Sequence, residues 1–267
     1  MILEKAFLRT PSISASTGVA YPPSPAIPHL PVSHGSETHE NPELLDTNEI
    51  GGQDCGINAC YLQSLCIWGE LVSYLQDLRS GGTDSPWLSS SGYSSLAGKL
   101  HSLQINISYR HLFRNVRFPE HCPPDLRRDR EYWTPWVSMQ VASHSGFAVL
   151  NNPFVQLYAF RGANGPSQPR YFLQQTVDQA LYHSGWVARF LRECKSLHFR
   201  IMDPIVGEMI AATATVPLVF QFATDVNVSE RSKADVRQCL EALAFLAPTW
   251  PHIERKVSLR PTFCYRD

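Results

Sequence analysis

From residue 55 onward, apolar residues return every three or four positions, the spacing of one face of an α-helix. The stretch ACYLQSLCIWGELVSYLQDL (59–78) places Leu62, Leu65, Cys66, Leu71, Val72 and Leu75 in such a repeat. Gly81-Gly82 ends it, because glycine accepts the left-handed backbone of a helix terminus. Residues 89–113 predict a weaker amphipathic helix with Tyr93, Leu96, Leu100, Leu103 and Ile107 on one side, and FPEHCPPD (118–125) predicts a turn-rich break. FLQQTVDQALYHSGWVARFLREC (172–194) carries one stripe of Leu173, Val177, Ala180, Ser184, Val187 and Leu191, and a flanking stripe of Tyr182, Trp186 and Phe190. Two stripes call for neighbours on two sides, so this helix is expected in the middle of a bundle.

Two further helices are signalled by their starts. DPIVGEMIAATATVPLVFQFA (203–223) opens with Asp203 as cap and Pro204 at the first helical position, where a missing N–H costs nothing. Its apolar run approaches the roughly 20 residues of a membrane span. Glu208, Thr213, Thr215 and Gln221 interrupt the run, Pro217 is expected to kink it and no basic flank anchors it, so it reads as a core helix. SERSKADVRQCLEALAFLA (229–247) is expected to be capped by Ser229, with Val236, Leu240, Leu243 and Leu246 on one face.

Residues 130–154, REYWTPWVSMQVASHSGFAVLNNPF, gather two tryptophans, His144 and its flanking serines. Thr134-Pro135 predicts a helix start, with Thr134 the cap, since the residue before proline is held extended. Trp136, Gln140, His144 and Ala148 then share a face, with Val137, Val141 and Phe147 beside it. Asn152-Pro153 repeats the device ahead of a short helix over VQLYAF. The stretch is expected to be a helical corner that buries its aromatics, with His144 a hydrogen-bonded core histidine.

No sustained period-two alternation occurs between residues 55 and 250, so the fold class is all-α: an irregular multi-helix bundle behind a disordered Pro/Ser-rich N-terminal segment. Residues 1–50, with Pro11, Pro22, Pro23, Pro25, Pro28 and Pro31 among Ser, Thr and His, are read as that segment, because they offer too little apolar surface to offset their ordering entropy. Residues 51–260 form the helical domain and 261–267 a tail.

Composition narrows the function. Of 267 residues, 43% are hydrophobic, enough for a sizeable core, and the net charge of −1 gives no basic field for nucleic acid or membrane. Glu4 interrupts the N-terminus where a secretory leader needs an apolar run, so no export is expected. The seven cysteines (55, 60, 66, 122, 194, 239 and 264) are then expected to be reduced and mostly buried, and the sequons at Asn106 and Asn227 unused.

Motifs for chemistry are missing. There is no CxxC or HExxH, and on a helix Cys55 and Cys60 would point about 140° apart. Ser143-His144-Ser145-Gly146 is not a nucleophile elbow, and neighbours in a helix do not face each other. There is no GxxxxGK[ST] or GxGxxG; Gly162-Ala-Asn-Gly165 reads as an ordinary loop, and no aspartate-rich helix could hold magnesium. Arg110, Arg114, Arg117, Arg127, Arg128 and Arg130 lack interleaved aromatics and read as a solvated or ion-paired face. No catalytic, cofactor-binding or metal-ligating residue is assigned. The alternative is a helical small-molecule enzyme using His144 or His183 as general base.

Several phrases occur here in one order and spacing: HLFRNVRFPEHCPPDLRRDREYWTPW, the LNNPF corner, YFLQQTVDQALYHSGWVARFL, DPIVGEMIAATATVPLVF and RSKADVRQCLEALAFLAPTWPHIERK. With Ser85-Pro86-Trp87 ahead of a serine-rich helix, residues 57–257 resemble the C-terminal half of the middle homology region of fungal zinc-cluster transcription factors. The resemblance implies an all-helical regulatory domain of a nuclear protein controlling RNA polymerase II transcription. Its partners would be co-regulators or other transcription-machinery proteins, with a small apolar inducer as a further expectation and no membrane. The family's DNA-binding module is a six-cysteine zinc cluster near the N-terminus; this sequence has no such cluster and no basic linker or coiled coil before the helices. Zinc and DNA contact are therefore carried over to no residue, and DNA is expected as a partner only through an upstream module.

Overall fold

The three-and-four spacing folds as expected. The computed structural model describes residues 24–28, 56–160 and 170–258, and these residues form ten helices and no strand. In chain order they are α1 (Ile57–Arg79), α2 (Gly92–Asn106), α3 (Phe113–Val116), α4 (Pro123–Arg128), α5 (Arg130–Leu150), α6 (Pro153–Ala159), α7 (Arg170–Ser196), α8 (Pro204–Phe220), α9 (Val226–Leu246) and α10 (Pro251–Ser258). The fold is an all-α bundle. Most of the Pro/Ser-rich segment, the 162–165 loop and the 261–267 tail lie outside the described residues. Within that segment Ser24–Pro28 is described, and Ser24 lies so close to Gly56 that a side chain at 56 would collide with it.

The central helix is α5, not the two-striped α7. From Tyr132 to Leu150 nearly every side chain of α5 is buried, because α1, α7, α8 and α2 surround it. The stripe of α7 through Ala180, Ser184, Val187 and Leu191 is buried as expected, but the flanking stripe runs outward from buried Phe190 to exposed Tyr182. In α1 the buried line is Ile57, Cys60, Ser64, Leu71 and Leu78, beside the expected one; Leu62, Leu65 and Leu75 are half-buried. Two apolar clusters result. The larger joins α5 to α1, α7, α8 and α9 around Trp133, Trp136 and Phe190, and the smaller joins α1, α2 and the end of α5 around Leu71, Leu100 and Phe147. In the smaller one, Gly146 lets α5 approach α2: a Cβ there would lie 2.8 Å from Leu100 Cδ2.

Helix ends follow local chemistry, with informative exceptions. Gly81 has φ of 99°, and Gly82 N–H and Gly81 N–H donate to Asp77 O and Leu78 O, closing α1 as its sequence predicts. Asp203 caps α8 by accepting from Ile205 N–H at 2.8 Å, while its other oxygen accepts from the Tyr61 hydroxyl at 2.5 Å. Pro217 does not end the helix; α8 runs through it to Phe220. The 89–113 helix is shorter than expected, starting after a Ser91 cap and stopping at Asn106, and the 118–125 break holds a single 3-10 turn and the short α4.

Two expected caps are corrected. Thr134 is not a cap: α5 begins at Arg130, and Pro135 sits inside it, at the cost of one backbone hydrogen bond. Burial of Tyr132 and Trp133 on the extra turn offsets that loss. Ser229 is likewise inside α9; Asp225 is the cap, accepting from Asn227 and Val228 N–H, while the Ser229 hydroxyl donates to Gln221 O at 2.6 Å.

The Asn152 cap is confirmed. Its Oδ1 accepts from Phe154 N–H at 2.9 Å and its Nδ2 donates to Thr215 Oγ1 at 2.8 Å, tying the start of α6 to α8. Asn152→Ala is expected to lower stability by about 1–2 kcal/mol. Asn152→Asp, which keeps only the cap, should recover part of the loss; urea midpoints at unchanged m would read both, and equal losses would refute the division. The corner buries Trp133, Trp136 and Phe147 as expected, but Phe154 is 53% exposed and Leu157 60%, so α6 turns an apolar face outward.

Candidate functional site

Packing α5 against α7 joins the two histidines that sequence reasoning considered separately. His144 Nδ1 lies 2.8 Å from His183 Nδ1, a distance that requires one nitrogen to donate and the other to accept. His183 Nε2 lies 3.2 Å from Gln179 Oε1, an acceptor. With Gln179 Oε1 accepting from His183 Nε2–H, His183 accepts at Nδ1 and His144 donates through its own Nδ1. The rings are held by aromatic faces: His144 stacks on Trp186 at 5.5 Å and 16°, and His183 on Phe147 at 4.5 Å and 14°. Removal from water pushes the His144 imidazole down to about 3, with His183 adding to the effect. The same cause, with His101 adding, pushes His183 down to about 4. Both are neutral at neutral pH; His144 is hydrogen-bonded as expected, but it is half-buried at the helix interface rather than a fully buried core residue. The signal available in the sequence was that each lies on an apolar helix face; their 39-residue separation concealed the pairing.

Around this pair the groups needed for bond-making do not converge among the described residues. Ser143 Oγ accepts from Gln104 Nε2 at 3.5 Å, and Ser145 Oγ is buried without a partner. No group of three or more His, Cys, Asp or Glu side chains is placed to hold a metal ion, there or elsewhere among the described residues. Among the described cysteines, Cys60, Cys194 and Cys239 are buried in the core, and burial pushes the Cys194 and Cys239 thiols up to about 12. The arginine patch is partly consumed by local partners. Arg128 pairs with Asp125 at 3.1 Å and Asp129 at 2.9 Å, Arg117 lies 3.8 Å from Glu120, and Arg130 donates to Arg200 O. No described helix is long and apolar enough to cross a membrane.

A second site was not foreseen. α7 ends in a reversal with His198 in the left-handed region at φ of 54°; Phe199 N–H donates to Cys194 O at 2.8 Å and His198 N–H to Lys195 O at 3.1 Å. This is the glycine-type helix stop built with a histidine. The reversal carries Phe199 and Ile201 back beneath the end of α7, opposite α8 and α9. Between the three helices lies a cleft of about 480 Å³, with Leu191, Phe199, Ile201, Ile210, Ala242 and Leu246 among its walls. Its volume is that of a small-molecule site, roughly 300–1,000 Å³. At its mouth Lys195 pairs with Glu241 at 2.7 Å, and the Arg200 guanidinium lies 5.0 Å over the Phe245 ring. The 203–223 helix contributes one wall, through Ile210, and α9 forms the opposite wall.

Comparison with known proteins finds no family model, no curated protein and no solved structure that matches the chain.

Proposed function

We propose that this chain is the regulatory domain of a fungal-type transcription regulator, acting in the nucleus through partner proteins and without catalysis of its own. The observation that carries the reading is the apolar cleft between α7, α8 and α9, a receptor-like feature. The ordered phrases that resemble the middle homology region supply the regulatory context, and control by an apolar inducer is what such a cleft would serve. The full chain, fused to an unrelated DNA-binding domain, should change a polymerase II reporter severalfold relative to that domain alone. Ala242→Phe, which fills the cleft, should shift the level again. Equal reporter output from the bare DNA-binding domain, the fusion and the Ala242→Phe fusion would overturn the reading.

One observation favours the alternative enzyme: the two candidate bases touch. Their depressed basicity counts against it, because a general base works best with a pKa near the operating pH. If His144→Gln or His183→Gln abolished a cellular phenotype while leaving the folded fraction unchanged, the enzyme reading would replace the first.

A further inference from the structure

The mouth of the cleft carries a cation, Arg200, with no carboxylate partner among the described residues. Arg200 is exposed, and its guanidinium covers the face of Phe245. Its main chain is pinned, since Arg200 O accepts from Arg130 Nη2 at 3.0 Å. Lys195 stands at the same mouth, tied to Glu241 by a pair whose side chains are 66% and 44% exposed. So exposed a pair contributes at most about 1 kcal/mol and yields readily to a competing anion. Below this rim the walls are almost wholly apolar: Leu191, Ile201, Ile210 and Leu246 leave little for a polar ligand body to bond with.

We infer that the cleft takes an amphipathic monoanion, an aliphatic or alicyclic body ending in a single carboxylate. The body lies between α7, α8 and α9, and the carboxylate meets Arg200, whose planar fork suits two parallel hydrogen bonds to one carboxylate. An uncharged hydrocarbon would gain the apolar contact and leave the guanidinium unanswered. A cationic amphiphile would meet Arg200 as a like charge, because the Glu241 carboxylate at the same mouth is already paired with Lys195. The inference rests on the cleft being the ligand site of the proposed regulator, and it names the chemistry of that ligand.

Calorimetric titration of the full chain with laurate, dodecanol and dodecyltrimethylammonium, all below their aggregation limits, tests it. Laurate should bind saturably and at least about tenfold more tightly than the other two, the gain expected from one charge-assisted hydrogen-bonded contact. Arg200→Gln should bring laurate to the dodecanol level and leave dodecanol unchanged. Ala242→Phe should weaken both ligands by about tenfold or more if it fills the walls. Equal affinities for laurate and dodecanol, or laurate binding untouched by Arg200→Gln, overturn the inference; because Arg200 is at the surface, that variant reads out even if the filled cleft does not fold. Laurate binding with a silent reporter would remove the regulatory reading and keep the site, whereas an active reporter with no laurate binding would do the reverse.

Discussion

Trp136→Ala should destabilise the chain by about 3–5 kcal/mol, a large share of the roughly 5–15 kcal/mol that holds a domain folded. Trp136 is fully buried and its ring lies 5.3 Å from Phe118, 5.6 Å from Trp133, 6.0 Å from Phe190 and 6.2 Å from Phe113. Four elements therefore meet on one indole: α3, α5, α7 and the turn at Phe118. Its Nε1 also donates to His111 O at 2.8 Å, so truncation opens a cavity and removes a buried hydrogen bond together. Trp136→Phe separates the two losses. It restores most of the volume and still lacks the hydrogen bond, so it should cost about 1–3 kcal/mol. Urea unfolding at unchanged m reads both, and a loss below about 1 kcal/mol for the alanine variant would show that this aromatic centre does not organise the bundle.

The second large effect is acid sensitivity from the histidine pair. Both imidazoles are pushed down on folding, so the unfolded chain binds more protons than the folded one below the ordinary histidine value of 6.5. Their contribution to stability is complete above pH 6.5 and is lost as pH falls toward about 4, where His183 begins to protonate in the folded state. Each histidine contributes a slope of up to about 1.4 kcal/mol per pH unit in that window. Asp235 opposes this at lower pH. Burial raises its carboxyl despite the Arg192 and Arg231 guanidinium groups, so protonation there costs the folded state less than the unfolded one. The expected result is a melting temperature that falls between pH 6.5 and 4.5, with the fall much reduced in His144→Gln/His183→Gln. A double variant with the same pH slope as the parent would show that the pair is not held neutral.

What could be read from the amino acids was whatever a few adjacent residues decide. Asn152-Pro153 and Asp203-Pro204 each join a short polar acceptor to a proline that needs no donor, and both caps formed as expected. Gly81 is the same kind of signal, a single residue free to take positive φ. Thr134-Pro135 carries the same local chemistry and misleads, because Trp133 and Tyr132 gain more by burial on an added helical turn than the proline loses. At Ser229 two acceptors compete within five residues, and the stronger one, Asp225, takes the role. The middle of the bundle went to α5 because buriedness all round depends on which helices arrive beside it, which two stripes on α7 could not report. The candidate sites are further from view. His144 meets His183 only after α5 and α7 pack, and the cleft needs a histidine in a backbone region usually left to glycine, plus walls from three helices.

The bare α-carbon at residue 146 ties that position to Leu100 as one shared parcel of space, since a methyl group there would force the leucine tip to shift. The sequence drifts at this crossing most readily by exchanging the two together. A lone gain at one site brings a collision, and a lone reduction at the other leaves a void, so neither step is neutral without its counterpart.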